Sequence, residues 1–198
     1  CAAPLRGKKG SHYEGGMRVP FVAAWGADGG RFEAEPPVAR GVVQRQMGAV
    51  YDLFPTLLDV AGVKVPDGHT IDGSSLRKLF TGNPDPTRNE RFLMHYPHAP
   101  HRSDYFTTLR DGRWKLIYHY FPSPASHGSR YELFDLQEDP HELRDLGREP
   151  GWARVRDEHL GLVFDWMRQR RNRVTISDAE IMKRANPAAA GGVIIGEW

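Results

Sequence analysis

The chain has 198 residues, of which 39% are hydrophobic and 26% are charged, so it can form a folded core and is not disordered by composition. Lysine and arginine exceed aspartate and glutamate by only 27 to 25, a balance that does not indicate nucleic acid as a partner. No apolar run approaches the roughly 20 residues that a membrane-spanning helix needs. The single cysteine excludes an internal disulfide framework.

The first predicted element is a strand. Residues 19–25 are apolar without alternation, a pattern typical of a strand buried on both faces in the sheet of an α/β protein. Residues 52–62 predict a helix packed on that sheet, with Asp52 as the N-terminal cap and Gly62 in the left-handed closing position. Turn-forming residues follow, and residues 83–86 predict a domain boundary.

Beyond this boundary the pattern changes to short strands followed by a helix. The predicted strands are residues 91–96, 105–110, 113–121 and 131–136. Asp111 and Gly112 predict a two-residue hairpin turn with positive φ at both positions. Residues 139–142 carry a helix-start pattern, and the spacing of apolar residues predicts an amphipathic helix over 152–171 that covers the sheet. The basic run at 168–173 is interpreted as a solvated helix end, and residues 173–198 as extended or poorly ordered.

The chemically richest segment is residues 6–20. Its glycines allow the backbone to approach an anion, and Lys8, Lys9 and Arg18 supply positive charge. The segment is not a P-loop, because that motif needs Gly-x-x-x-x-Gly-Lys followed by Ser or Thr and a helix. From composition alone, an anion site and a plain basic loop both stay open.

The run KGSHYEGGMRVP at residues 9–20 resembles the second signature of the sulfatase family, Gly-Lys-Gly-(Ser/Thr)-x-(Tyr/Trp/Phe)-Glu-Gly-Gly-x-Arg-x-Pro. Three further stretches agree in order, at residues 52–62, 71–76 and 133–142. The resemblance covers residues 6 to about 146. It identifies the chain as the C-terminal portion of a type I, formylglycine-dependent sulfatase of the alkaline phosphatase superfamily.

The resemblance implies a fold with three parts. Residues 1–86 are expected to form the incomplete end of an alkaline-phosphatase-like α/β domain. Residues 87–172 are expected to form a small four-stranded antiparallel sheet with a C-terminal helix, followed by the tail at 173–198. Since residues 1–86 hold too few strands to close a domain, exposed apolar surface is expected. A periplasmic or secreted parent enzyme is expected as well.

The resemblance also implies that Lys9 contacts the sulfate group. A sulfate ester gains negative charge on its oxygens as the S–O bond breaks, and a fixed ammonium stabilises that state more than the ground state. Lys8 is expected to be a solvated neighbour. Glu14 and Arg18 are expected to brace the loop or the start of the strand.

Histidines form the second cluster of candidates. His95, His98 and His101 are spaced by three, but the prolines among them force an extended chain and disfavour a zinc site. In sulfatases the C-terminal sheet reaches toward the active-site cleft, so the resemblance makes His95 or His98 a substrate-pocket residue. Exposed loop histidines are the alternative. His12, at a variable position of the signature, is a candidate for substrate specificity.

The chain lacks two features of the family. It has no Cys/Ser-x-Pro-x-Arg motif, from which the formylglycine nucleophile is made, since the proline after Cys1 comes one place too late. The family's calcium-binding Asp-Asn pair is expected upstream of Cys1. We therefore expect Ca²⁺ to serve the complete parent, with no metal bound by this chain and no activity of the chain alone.

The expected activity of the parent is hydrolysis of sulfate esters, with a sulfated glycan as substrate. Two alternatives stay open from the sequence. One is a phosphodiester or phosphonate monoester hydrolase of the same superfamily. The other is a non-catalytic carbohydrate-binding or structural module.

Overall fold

The structure is a computed structural model that describes residues 3–26, 38–88, 91–96, 106–119 and 131–169. The chain divides into two compact units. The sheet unit joins Cys1–Met17 to Leu93–Trp198, and the helical unit is Arg18–Phe92. This division differs from the predicted one at the N-terminus, because residues 3–17 pack on the antiparallel sheet.

The sheet has four strands in the order β1-β2-β3-β4. They are β1 Phe92–Tyr96, β2 Phe106–Arg110, β3 Trp114–His119 and β4 Tyr131–Asp135. β3 pairs antiparallel with both β2 and β4, with Leu116 opposite Leu109 on one side and Leu133 on the other. The predicted four-stranded antiparallel sheet is confirmed, with strand ends displaced by one or two residues.

Both faces of this sheet are covered. Because side chains alternate along a strand, Leu109, Leu116 and Leu133 point to one face, where they are fully buried in the larger core. Phe106, Ile117 and Phe134 point to the other face and form a smaller core. The second face is covered by residues 3–17, which carry the sulfatase-like signature.

Helix α4, Ala153–Gln169, covers the first face and confirms the predicted amphipathic helix. Its buried residues are His159, Val163 and Met167. His159 Nδ1 lies 2.8 Å from the Val155 carbonyl oxygen and Nε2 lies 3.0 Å from the Asp111 carboxylate, and both nitrogens donate when the ring is protonated. Burial alone would lower the pKa of His159, but these two acceptors outweigh it and raise the pKa above its usual value.

Two local predictions in the sheet unit are wrong. The turn between β2 and β3 is a hairpin, but neither Asp111 nor Gly112 has positive φ. Instead the Asp111 carboxylate accepts the N–H groups of Arg113 and Trp114, at 2.8 and 2.6 Å. No helix starts at residues 139–142, because Glu142 adopts the left-handed conformation, with φ of 57°.

The helical unit contains a 3₁₀ turn at Val50–Asp52, helix α2 at Leu53–Val60 and helix α3 at Arg77–Phe80; a further short helix, α1 at Glu14–Met17, belongs to the sheet unit. Gly62 closes α2 with φ of 67°, as predicted. Asp52 does not cap α2 with its side chain. Its carboxylate accepts the N–H groups of Ala49 and Ser74 instead, at 2.7 and 2.9 Å.

The predicted strand at residues 19–25 does not form. Val19, Phe21 and Val22 are 73%, 58% and 87% exposed, and no strand of the described residues pairs with this segment. A buried strand needs partners for its backbone N–H and C=O groups, and apolar sequence alone does not supply them. The same lack of a covering sheet leaves Phe54 exposed on α2, so the expected exposure of apolar surface is confirmed.

Candidate functional site

Lys9 lies at the second position of a tight turn that runs from Lys8 to Ser11. The Ser11 N–H donates to the Lys8 carbonyl at 2.9 Å, and the Ser11 hydroxyl donates to the same oxygen at 2.8 Å. Gly10, at the third position, has φ of 86°, as a type II turn requires. The Lys9 side chain is exposed and, within the part of the chain that the structure describes, makes no hydrogen bond or ion pair.

Helix α1 packs against the backbone of this turn. The Gly15 N–H donates to the Arg6 carbonyl at 2.7 Å. Gly16 approaches so closely that an added Cβ would lie 2.2 Å from the Ser11 carbonyl oxygen and 2.7 Å from the Lys8 carbonyl oxygen. The turn and α1 therefore form one closely packed loop, and glycine is required at position 16 by space rather than by φ.

Two aromatic residues of the signature fasten the loop to the sheet. His12 is 7% exposed, hydrogen-bonds the Thr108 hydroxyl through Nδ1, and meets the ring of Phe106 edge-on at 4.0 Å between centroids. The Tyr13 hydroxyl donates to the Glu132 carboxylate at 2.9 Å. Burial, followed by the charge of Glu132, raises the pKa of Tyr13 above its usual value. Both residues thus have packing partners on the covered face of the sheet.

Glu14, at the start of α1, is bound by a buried cluster of charges. Its Oε1 accepts from the Lys115 ammonium at 2.9 Å and from Arg110 Nε at 3.3 Å. Its backbone N–H donates to Glu142 Oε2 at 2.6 Å. Glu142 Oε1 forms an ion pair with Lys115 at 2.8 Å without the alignment of a hydrogen bond.

The two carboxylates in this cluster respond differently to their surroundings. Burial alone would raise the pKa of Glu14, but Lys115 and then Arg110 hold it below its usual value. For Glu142, burial is the largest effect and raises the pKa, although Lys115 opposes it. The pKa values of the two carboxylates are therefore shifted in opposite directions, although both carboxylates lie beside Lys115.

The remaining predicted residues have mixed outcomes. Lys8 is exposed, as expected, and the bracing role of Glu14 is confirmed. Arg18 is exposed and takes no part in the bracing contacts seen among the described residues, so its predicted bracing role is wrong. His95 lies in β1, but its side chain, like all of His98, lies outside the described part of the structure. Substrate contact by His12, His95 or His98 stays a prediction.

Sequence reasoning missed the residues that hold the loop. They are Arg110, Lys115 and Glu132 in the sheet and Glu142 in the turn after β4. The signal that was available is Lys115 itself, a charged residue flanked by Trp114 and Leu116 within a predicted strand. A lysine is almost never fully buried unless it is paired, but the pattern does not show which distant carboxylates pair with it.

A cavity of about 460 Å³ lies within the helical unit. Its charged lining combines both signs: Asp52, Asp59, Asp72, Asp85, Lys78, Arg88 and Arg91. In the described ranges, no three His, Cys, Asp or Glu side chains are grouped so as to hold a metal ion. Neither Lys9 nor His12, the predicted site residues whose side chains the structure describes, lines this cavity.

A glycine-rich loop with two exposed lysines, Lys8 and Lys9, packs on a four-stranded antiparallel sheet with a C-terminal helix, as expected for the C-terminal part of a sulfatase. Residues 8–165 match the model of the family described as N-sulphoglucosamine sulphohydrolase, C-terminal. The chain belongs to this family. Of the predicted fold class, the four-stranded antiparallel sheet and the C-terminal helix are confirmed.

Named relatives agree with the family. Steryl-sulfatase of Mus musculus is 31% identical over 168 residues, covering 72% of this chain and 24% of that protein. Arylsulfatase A of Homo sapiens is 31% identical over 164 residues, covering 76% and 28%. A solved structure of a protein in complex with its substrate D-glucosamine-2-N,6-O-disulfate has 27% identity and a TM-score of 0.50, covering 60% and 23%. The chain thus spans about a quarter of the length of these relatives.

Proposed function

We propose that the complete protein hydrolyses sulfate esters of a sulfated glycan, and that Lys9 contacts the sulfate group. The observation that carries this proposal is the presentation of Lys9, an exposed cation that has no side-chain partner among the described residues and lies on a turn held by α1. The sulfatases among the relatives support the sulfate ester. The neighbour bound to D-glucosamine-2-N,6-O-disulfate supports a sulfated sugar.

The contribution of Lys9 to catalysis follows from its charge and its setting. Negative charge grows on the sulfate oxygens as the S–O bond breaks, and the ammonium stabilises it. Because the turn is already ordered by its hydrogen bonds and by α1, little reorganisation is needed when the charge develops. Loss of one such contact lowers turnover by about 10²- to 10³-fold, or about 3 kcal/mol.

The residues of this chain do not fit the two other groups that the family uses. The sequence has no Cys/Ser-x-Pro-x-Arg motif for a formylglycine, and the described residues group no metal ligands. We propose that Ca²⁺ and the nucleophile are supplied by other parts of the complete enzyme. The 198-residue chain by itself is then inactive on aryl sulfates.

The test compares two neighbouring lysines in the complete sulfatase. Lys9→Ala is expected to lower kcat on an aryl sulfate by about 10²- to 10³-fold. Lys8→Ala is the matched control, because Lys8 is exposed in the same turn, and it is expected to keep kcat within about threefold. Equal effects of the two substitutions, or near-normal turnover of Lys9→Ala, would remove Lys9 from the chemistry.

The reaction class is tested on the same enzyme. Aryl sulfate, aryl phosphonate and phosphodiester substrates are compared by kcat/KM. A preference for the sulfate supports the proposal, and a preference for either phosphorus substrate overturns it. Turnover of the aryl sulfate by the 198-residue chain alone would contradict the proposed inactivity.

A further inference from the structure

Lys115 is a fully buried cation near the start of strand β3. Its side chain is 0% exposed, and its ammonium lies 2.9 Å from Glu14 Oε1 and 2.8 Å from Glu142 Oε1. Removing an ammonium from water is costly unless opposite charges and hydrogen bonds compensate. This position of Lys115 is therefore stable only when the carboxylates are in place.

The two carboxylates bring distant parts of the chain to Lys115. Glu14 belongs to the signature loop and is 101 residues away from Lys115. Glu142 lies in the turn after β4, and its second oxygen holds the Glu14 N–H at 2.6 Å. Both the side chain and the backbone of Glu14 are thus tied to the sheet unit.

A short path of contacts leads from Glu14 to Lys9. Glu14 begins α1, and the next two residues hold the turn, Gly15 through its hydrogen bond to the Arg6 carbonyl and Gly16 through close packing. Lys9 has no side-chain partner among the described residues. Its position is consequently set by the backbone, and the backbone is set by α1.

We propose that Lys115 is a positioning residue for the sulfate-contacting Lys9. It holds Glu14, and through α1 it holds the turn that carries the Lys9 ammonium. The inference rests on the proposed function of Lys9. Catalytic groups tolerate little displacement, since an error of about 1 Å can lower turnover about 10²-fold.

The first experiment measures loop order on the 198-residue chain by hydrogen exchange. Lys115→Met is expected to accelerate exchange of the Ser11 and Gly15 amides at least about tenfold while the amides of α4 keep their rates. Arg113→Met is the matched control, because Arg113 also pairs with a carboxylate of the sheet, Asp135, but among the described residues it makes no side-chain hydrogen bond or ion pair with the loop. Unchanged loop amides, or equal acceleration in the loop and in α4, would overturn the proposal.

The second experiment measures coupling in the complete sulfatase. Lys115→Met alone is expected to lower kcat about 10²-fold with KM changed less than about threefold. Added to Lys9→Ala, it is expected to lower kcat by no more than about threefold further, because the group that it positions is already absent. A full multiplicative loss in the double variant would show that Lys115 acts on overall folding and not through Lys9.

If Lys115→Met does not accumulate as folded protein, Glu14→Gln provides the second test. It removes the charge that faces Lys115 but keeps the size of the side chain. Faster exchange of the Ser11 amide with normal exchange in α4 supports the proposal, and an unchanged Ser11 amide overturns it. Should Lys9→Ala leave kcat normal, the proposed function of Lys9 fails, whereas the exchange rates still decide whether Lys115 orders the loop.

Discussion

Substituting Arg88 by methionine removes one half of a buried ion pair in the helical unit. The side chains of Arg88 and Asp52 are each 1% exposed and form a direct ion pair. Arg88 also donates to the Met47 carbonyl at 3.0 Å and to the Ser74 hydroxyl at 2.7 Å. After the substitution the Asp52 carboxylate stays buried with only backbone N–H donors, from Ala49 and Ser74.

The expected cost follows from this burial. Breaking a buried pair by removing one partner typically costs about 3–5 kcal/mol, because the remaining charge is uncompensated. At about 1.4 kcal/mol per tenfold change, exchange through unfolding of this unit accelerates by a factor of about 10² to 4 × 10³. A suitable probe is the Ala61 amide, which donates to the Leu57 carbonyl at 3.0 Å at the end of α2.

The control is a second Arg–Asp pair in the same unit. Arg77 and Asp59 lie 3.0 Å apart, but their side chains are 51% and 41% exposed. Arg77→Met is expected to cost less than about 1 kcal/mol, because solvent screens an exposed pair. Similar acceleration of the Ala61 amide in both variants would refute the claim that burial decides the cost.

Two further predictions concern the sheet unit. Gly16→Ala is expected to lower kcat of the complete sulfatase about 10²-fold, because its Cβ would lie 2.2 Å from the Ser11 carbonyl oxygen and displace the turn. The second prediction concerns the stabilising effect of His159, which is the difference in unfolding free energy between the chain and His159→Gln. We expect this effect to be full below about pH 6.5 and to fall as pH rises through the raised folded-state pKa.

Each of these predictions has its own check. Gly161 lies in α4, and a Cβ there meets nothing within 4 Å, so Gly161→Ala should leave kcat unchanged. Equal losses from Gly16→Ala and Gly161→Ala would contradict the steric explanation. For His159, urea unfolding from about pH 5.5 to 8.5 gives the free energies. A difference that is constant with pH, or that grows as pH rises, would show that the charged imidazole is not the stabilising form.

Local patterns predicted the sheet and its helix well. Residues 131–136 and 152–171 needed only alternation and helical spacing, which depend on neighbours within a few residues. The same reasoning failed for residues 19–25, since a strand also requires partner strands, and none of those described pairs with this segment. It failed at Glu142 because Asp139 and Pro140 suggest a helix start, whereas the backbone there turns left-handed.

The residues of the candidate site also differ in whether local sequence reveals them. Lys9 could be identified because the motif around it is contiguous. Lys115 could not, because its partners lie 101 residues before it, in Glu14, and in the separate turn that holds Glu142. The alternation of polar and apolar residues along β3 also conceals the burial of Lys115, because it suggests that one face of the sheet is exposed. In the structure that face is covered as well, since Ile117 and Phe134 on the same face form a buried core.

The two covered faces of the sheet are held by different kinds of contact. On the helix face, Leu116, Val163 and Met167 form an apolar core, and such contacts tolerate small shifts because dispersion and burial have little directional preference. On the loop face the buried ammonium of Lys115 lies between Glu14 and Glu142. A shift that separates these groups leaves buried charge uncompensated, and the desolvation penalty then destabilises the shifted state. A charge cluster is therefore a weak source of net stability but a strong restraint on geometry. Lys9 is exposed and has no side-chain partner in the part of the chain that the structure describes, so it needs that restraint if it is to meet a sulfate group in one fixed place.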